Sequence, residues 1–227
     1  MLFNLEKEAL FASGIRDEKQ IQSYDERLHK LYTRFVSDVA PSDDPLIKAG
    51  HLFNWLWETK PGRYRMGGSY RLSEVIDRQM DRESQAVGNC LGLTVLYNCL
   101  LRKINWEPKA LYLPNAFGIS PHVLTLLETG GSTIEIENIF PNGFDYKGHV
   151  DSSMKTMWGD KELVSDVYHS RGNEDFKKGD FSEALKNYKK ALKLNSKHPT
   201  ARLNIIILLE KKKMGKNSGM DYPSGDQ

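Results

Sequence analysis

The feature that most constrains the fold is an apolar stretch in the middle of the chain, Leu91–Tyr97 (LGLTVLY). Asn89 precedes it and is a residue type that caps helix N-termini, so we expect a helix whose first turn contains Cys90. The helix should end near Lys103, in time for Pro108. Because the stretch is apolar on nearly every side, it predicts a helix that is buried in a core.

Three further helices are expected before this central helix. Lys19–Val39 carries apolar residues close to helical spacing, and Pro41 stops it. Ser42–Pro45 has the composition of a cap and first turn for a helix over Leu46–Glu58. A short helix is expected over Ser73–Met80. The part of the chain before the central helix is therefore predicted to be helical.

After the central helix the pattern changes from helix to strand. Ala110–Leu113, Pro121–Glu128 and Thr133–Phe140 are predicted as strands. Gly130-Gly131, between the last two, indicates a two-residue hairpin turn. If these glycines form the turn, the numbers of paired residues sum to 261. The register of this hairpin is therefore predicted along with its existence.

The hairpin register places a histidine beside an acid. With paired numbers that sum to 261, Leu124 faces Glu137 and His122 faces Ile139. His122 and Glu137 then point to the same side of the sheet as diagonal neighbours, within reach of long side chains. Glu135 shares that face two positions further away. A slip of one residue would turn Glu137 to the opposite face, so the prediction depends on the register.

Cys90, His122 and Glu137 are the residues that we predict to carry any catalysis. A cysteine attacks amides as its thiolate, and a thiol nucleophile needs a base and an orienting carboxylate within hydrogen-bond reach. Each residue also has a structural interpretation: Cys90 as a small core residue, His122 as a hydrogen-bonded strand residue, and Glu137 as a solvated one. Cys99, on the far side of the same helix, is predicted to lie in the core.

The order of a helix cysteine, a strand histidine and a strand acid resembles the transglutaminase-like superfamily, in particular its SirB1-type branch. The resemblance is carried by Gly88–Leu93 (GNCLGL), Pro121–Val123 (PHV) and Ile136–Asn138 (IEN), within a core over roughly residues 40–145. It implies an α+β fold of the papain and transglutaminase type, with helices packed on a small antiparallel sheet.

The resemblance also implies a Cys–His–Glu triad that forms a thioester with peptide or glutamine-type amides. Cys90 would attack, His122 would act as base and then as acid, Glu137 would orient His122, and the Cys90 N–H would stabilise the oxyanion. The superfamily usually has aspartate at the acid position, and this chain has the longer glutamate. No cofactor and no metal are expected. The alternative function is a catalytically inactive transglutaminase-like scaffold that binds other proteins.

From about Ser165 the chain changes character again, because small and aromatic residues recur at set intervals. These residues are Tyr168, Gly172, Gly179, Phe181, Ala184, Tyr188 and Ala191. The stretch resembles one tetratricopeptide repeat (TPR), although Asp175 stands where the family usually has a larger apolar residue, and the proline comes late, at Pro199. Ala201–Lys211 is predicted as the next helix. Such repeats are stable only when stacked, so one and a half repeats should dock on the preceding domain, on a second chain, or on both.

The predicted organisation has three parts. A helical N-terminal section with the transglutaminase-like domain covers 1–155, TPR-like helices cover 160–213, and a disordered tail covers 214–227. We expect the TPR helices to bind a protein or peptide partner or to form a homo-oligomer. The chain has only two cysteines, and it shows neither a signal peptide nor an apolar run long enough to span a bilayer. These features predict a reduced, cytoplasmic protein.

Charge argues against a nucleic-acid-binding protein. The chain has 32 lysines and arginines against 30 aspartates and glutamates, whereas a dedicated nucleic-acid binder usually has a strongly basic domain. A contact with RNA would depend on the lysines of the TPR-like helices, and lysines on the polar side of such helices are mostly solvated. Neither a nucleic acid nor a membrane is therefore expected as a partner.

Overall fold

The computed structural model describes residues 3–117, 120–149 and 154–217. Within these residues the chain forms eight helices and four strands. The helices are α1 (Leu5–Ser13), α2 (Glu18–Asp38), α3 (Pro45–Thr59), α4 (Leu72–Met80), α5 (Cys90–Lys103), α6 (Asp160–Lys178), α7 (Phe181–Leu194) and α8 (Ala201–Asn217). The strands are β1 (Lys109–Ala116), β2 (Ser120–Thr129), β3 (Ser132–Ile136) and β4 (Thr156–Trp158). The architecture is a set of helices with a small antiparallel sheet, followed by the three helices α6 to α8.

The strands form one antiparallel sheet in the order β3-β2-β1-β4. The turn between β2 and β3 is Gly130-Gly131, and Gly131 has a φ of +133°, a backbone conformation that glycine adopts readily. Thr129 pairs with Ser132 and Thr125 pairs with Ile136. The predicted hairpin and its register, in which paired numbers sum to 261, are therefore confirmed.

The third predicted strand was too long. β3 ends at Ile136 and does not continue to Phe140. The reason is a turn that starts at once, in which the Glu137 N–H donates to the Gly143 carbonyl at 2.8 Å. The expected pairing of Leu124 with Glu137 is therefore not part of the ladder, and Glu137 is the first residue after the strand.

Two other strands also differ from the prediction. β1 continues to Ala116, past the predicted end at Leu113. β4 was not predicted, because three residues are too few to show a periodic pattern. It pairs with β1, and Trp158 stacks on Tyr112 with ring centroids 4.3 Å apart. Packing against an existing strand thus determines β4.

Helix α5 passes through the core as predicted, and every residue from Leu91 to Leu101 is buried. Its polar side chains Thr94 and Asn98 take part in a buried network. Thr125 Oγ1 on β2 donates to Asn98 Oδ1 at 2.7 Å. Asn138 Nδ2 donates to Thr94 Oγ1 at 3.2 Å and to Thr125 Oγ1 at 3.0 Å. The network holds α5 against β2 and against the residue that follows Glu137.

Helices α6 to α8 pack on the preceding part of the chain, which confirms that expectation. Leu163 of α6, Ala191 of α7 and Ala201 of α8 lie in the same hydrophobic core as helices α1 to α5. Gly172 lets α6 and α7 approach closely, since a Cβ there would lie 2.6 Å from the Tyr188 ring. The repeat helices therefore share one core with the sheet and its helices.

The last helix is longer than expected. α8 continues to Asn217, so the first four residues of the predicted tail at 214–227 are helical. Lys211–Lys213 explain this extension, because lysine is a good helix former and its charge suits a helix C-terminus. The remainder of the predicted tail, 218–227, lies outside the described residues.

Candidate functional site

Cys90 opens α5 beside a cleft. The helix is capped as predicted, because Asn89 Oδ1 accepts a hydrogen bond from the Gly92 N–H at 3.0 Å. A Cβ on Gly92 would lie 2.3 Å from the Ser69 carbonyl oxygen, so glycine is needed for the loop to pass this close to the first turn. Cys90 is half-buried and lines a cleft of about 290 Å³. Its thiol therefore lies where a ligand can approach.

His122 lies on β2 and lines the same cleft, with 7% of its surface exposed. Its Nε2 donates to Glu137 Oε2 at 2.8 Å. The Cys90 thiol lines the same cleft, and its interaction with the imidazole is one cause of the raised pKa of His122. The fold thus brings the thiol, the imidazole and the carboxylate of the three predicted site residues together.

The acid that contacts His122 is Glu137. Glu135 pairs with Lys155 instead. Glu137 is fully buried, and its Oε1 accepts from the Ile139 N–H at 3.3 Å. Glu135 forms an ion pair with Lys155 at 2.6 Å. Of the two acids that share this face in the predicted register, only Glu137 contacts the imidazole.

A second histidine, His149, joins the site, although no sequence pattern pointed to it. Its Nε2 also donates to Glu137 Oε2 at 2.8 Å, and the residue is 6% exposed. The ring packs against Phe117 and Tyr146, with centroids 4.9 and 5.0 Å away. His149 follows an irregular segment, so neither helical nor strand periodicity could have revealed it.

The buried contacts shift two pKa values in opposite directions. Burial by itself lowers the pKa of His122, but hydrogen bonds with Cys90 and Glu137 outweigh it and raise that pKa to about 10. Burial by itself raises the pKa of Glu137, but hydrogen bonds from His122 and His149 outweigh it and hold that pKa below its ordinary value. At neutral pH the site therefore holds an imidazolium and a carboxylate. A charged imidazole beside a cysteine is typical of activated thiols.

Helix α6 and the loop before α8 supply part of the cleft wall. The side chains that line it are Asp166, His169, Ser170 and Asn173 on α6, and His198 and Thr200 in the loop. The sequence reasoning missed these residues. The spacing of Asp166 and His169 could have signalled one helix face, but only the docking of α6 brings that face to Cys90. The cleft is thus built from both regions of the chain.

Two groups of side chains have a composition that metal ions bind, with potential ligand atoms within 4.8 Å of one another. They are His122, Glu137 and His149 in one group, and Asp166, His169 and His198 in the other. In the first group both ring nitrogens donate to the carboxylate at 2.8 Å. In the second, one ring nitrogen lies 3.2 Å and the other 3.6 Å from the carboxylate. Hydrogen bonds account for the arrangement of the first group and for the contact between His198 and Asp166 in the second.

Cys99 lies on the far side of α5 and belongs to the core, as predicted. It is 2% exposed, and burial raises the pKa of its thiol well above the ordinary value. Cys99 therefore provides an internal reference for the reactivity of Cys90.

Comparisons with known proteins identify the C-terminal region. A model of the TPR repeat matches residues 172–211, which cover the end of α6, all of α7 and most of α8. A search of curated proteins and a search of solved structures found no match. The transglutaminase-like resemblance of the preceding region stays a prediction.

No helix among the described residues is long and apolar enough to cross a membrane. The chain contains a TPR repeat, a unit that generally mediates protein–protein interactions.

Proposed function

We propose that the protein is a cysteine-dependent amide hydrolase or acyl transferase of the transglutaminase-like type. Cys90 is the nucleophile, His122 is the group that takes the thiol proton and passes it to the leaving nitrogen, and Glu137 is the carboxylate that orients His122. The observation that carries this proposal is the 2.8 Å contact between His122 Nε2 and Glu137 Oε2 beside a cysteine that lines the same cleft. A thiol, a base and an orienting acid are what nucleophilic catalysis requires. The substrate class is a peptide or glutamine-type amide.

The reaction has two steps. In the first, the Cys90 sulfur bonds to the amide carbonyl carbon, His122 gives a proton to the leaving nitrogen, and the C–N bond breaks. This step leaves a thioester on Cys90 and releases ammonia or an amine. In the second, water or an amine gives a proton to His122 and bonds to the thioester carbon, and the C–S bond breaks. The acyl group leaves as a carboxylic acid or a new amide, and the Cys90 thiolate is restored beside the protonated His122. The Cys90 N–H is in the first helical turn, where no helical carbonyl satisfies it, so it is available to the oxyanion.

His149 completes the support of the carboxylate. Both imidazoles donate to Oε2 of Glu137, and the Ile139 N–H donates to Oε1, so both oxygens of this buried group are hydrogen-bonded. A buried charge with this many donors is held in one orientation. We assign His149 a positioning role, since it acts on His122 through Glu137.

Alkylation by iodoacetamide tests the nucleophile. We expect Cys90 in the folded protein to react much faster than the buried Cys99, with mass spectrometry of the digested protein measuring each site. His122→Ala should slow the reaction of Cys90 across about pH 5 to 9, the range in which histidine and thiol titrations matter. His29→Ala, which removes an exposed histidine from α2, is the matched control. An unchanged Cys90 rate in His122→Ala would contradict the proposal.

Turnover is tested with glutamine-containing peptides. Ammonia release measures hydrolysis, and incorporation of a fluorescent primary amine measures acyl transfer. Either activity should disappear in Cys90→Ala. A protein whose Cys90 alkylates rapidly but which releases no ammonia and incorporates no amine from a broad peptide pool would contradict amide chemistry.

A second candidate function is self-association through the TPR region. Helix α8 exposes large apolar side chains, among them Leu203 (54%), Ile206 (49%) and Ile207 (44%). Their neighbour Leu208 is fully buried. TPR helices cover such a face by stacking against another helix, and within the described part of the chain these side chains stay exposed. This face supports a homo-oligomer, in which a second copy of the chain covers it.

Light scattering measures the mass of the protein and tests this contact. We expect a dimer that dissociates in Leu203→Asp. Val36→Asp on α2 changes an equally exposed apolar residue elsewhere and should leave the dimer intact. A monomer at every concentration of the unmodified chain would refute self-association. The two functions are compatible, because the exposed face of α8 is not part of the cleft lining.

A further inference from the structure

The part of the cleft wall that α6 supplies is organised around Asp166. Its side chain is 21% exposed. Its Oδ1 lies 3.2 Å from His198 Nε2 and 3.6 Å from His169 Nδ1. Among the described residues that line the cleft, Asp166 is the only acid, and there is no lysine or arginine. Whether a positive charge balances this carboxylate therefore depends on the protonation of the two imidazoles.

Hydrogen bonds determine the protonation of His198. The backbone N–H groups of Thr200 and Ala201 point at its Nδ1, at 3.4 and 3.2 Å. A backbone N–H can only donate, so Nδ1 accepts and carries no proton. The ring is neutral, and its single proton lies on Nε2, which donates to Asp166.

The same reasoning applies to His169. The side-chain amide nitrogen of Asn204 and the Thr200 hydroxyl each lie 3.0 Å from His169 Nε2; the amide NH₂ group can only donate, and the hydroxyl is able to donate. Nε2 therefore carries no proton, and the ring proton lies on Nδ1, the nitrogen that faces Asp166. Both imidazoles are neutral, so neither balances the negative charge of the carboxylate.

Asp166 thus holds a negative charge without a counterion. Burial by itself raises the pKa of Asp166, but its contacts with His169 and His198 hold that pKa below its ordinary value, so the group is ionised at neutral pH. Within the described part of the chain, no lysine or arginine nitrogen forms an ion pair with it. Aspartates with this little exposure are normally paired with a positive charge. Among the described residues that line the cleft, the His122 imidazolium is the one cation, and it is already paired with Glu137.

We propose that the cleft recognises a cationic side chain of the substrate, an ammonium or guanidinium group that pairs with Asp166 while a nearby amide reaches Cys90. This inference rests on the proposed function and names its substrate class. Both imidazole contacts fall on Oδ1, which leaves Oδ2 for the ligand. A divalent metal ion fits less well, because His198 would have to lose its Nε2 proton while Nδ1 still accepts from the backbone.

Charged thiol reagents test this directly. Two methanethiosulfonates, one with a trimethylammonium head and one with a sulfonate head, both modify Cys90, and the ratio of their rates reports the charge of the cleft. Asp166→Asn removes the charge and keeps the shape, and we expect it to lower the cation-to-anion ratio by about fivefold or more. Glu210→Gln removes one exposed charge outside the cleft and should leave the ratio unchanged. An unchanged ratio in a folded Asp166→Asn protein would overturn the proposal.

The unmodified chain provides a test that needs no variant. Raising the salt concentration should lower its cation-to-anion ratio, because salt screens the Asp166 charge. N-acetyl-arginine amide should protect Cys90 from iodoacetamide, and the neutral isostere N-acetyl-citrulline amide should not. Equal protection by the two amides, no response to salt, or Zn²⁺ binding that Asp166→Asn abolishes would each refute the cationic-ligand site.

The readouts of this inference and of the proposed function are separate. The rate ratio and the protection assay require only a reactive thiol, whereas the proposed function requires amide turnover. A preference for cations without turnover would contradict the proposed function alone. Turnover without a preference for cations would contradict this inference alone.

Discussion

The raised pKa of His122 makes the stability of the fold depend on pH. The value rises from 6.5 to about 10, so between these two pH values the folded protein keeps a proton that the unfolded chain has released. The resulting contribution to the free energy of unfolding is fully present below about pH 6.5 and is lost as the pH rises through about 10. Because one pKa unit is worth about 1.4 kcal/mol, the contribution is at most about 5 kcal/mol.

His122→Gln removes the titrating group and keeps a polar side chain on β2. Urea unfolding followed by circular dichroism gives the free energy of unfolding of both proteins. We expect the original chain to be more stable than the variant at about pH 6, and the difference to shrink by about 2 to 5 kcal/mol at about pH 10. Lysines and tyrosines also titrate in this range, but they are common to both proteins and cancel in the difference.

His29→Gln controls for the loss of a histidine, since His29 is exposed on α2. Its stability difference from the original chain should stay constant between the two pH values. The reasoning fails if the His122→Gln difference is equally constant, because His122 would then titrate in the folded protein as it does in the unfolded chain.

Three further predictions concern the parts that hold the site in place. Gly92→Ala should lower the free energy of unfolding by about 1 to 3 kcal/mol, measured in urea, because its Cβ would lie 2.3 Å from the Ser69 carbonyl oxygen. Asn138→Leu should cost about 2 to 3 kcal/mol in the same assay, because its buried hydroxyl partners lose a donor. His149→Phe keeps a ring but removes a donor to the buried Glu137, so thermal unfolding at neutral pH should show a loss of about 1 to 3 kcal/mol.

Local chemistry explains why part of the site could be predicted. Asn89 caps a helix because its side chain reaches an amide only three residues away, and this places Cys90 in the first turn. Gly130-Gly131 determines the hairpin register because a two-residue turn leaves only one way to pair the strands. These interactions lie within one helical turn or one hairpin, so the pattern of neighbouring residues is sufficient to recognise them.

The amino-acid sequence by itself determined the central helix, the hairpin register and the TPR helices, because each depends on contacts between residues near one another along the chain. The tertiary structure alone decided that His149 returns to Glu137 and that Asp166 shares a cleft with Cys90. These contacts join residues that are distant in sequence, the first through an irregular segment and the second through the docking of α6 on the core. No local periodicity records such contacts, because packing across the whole fold produces them.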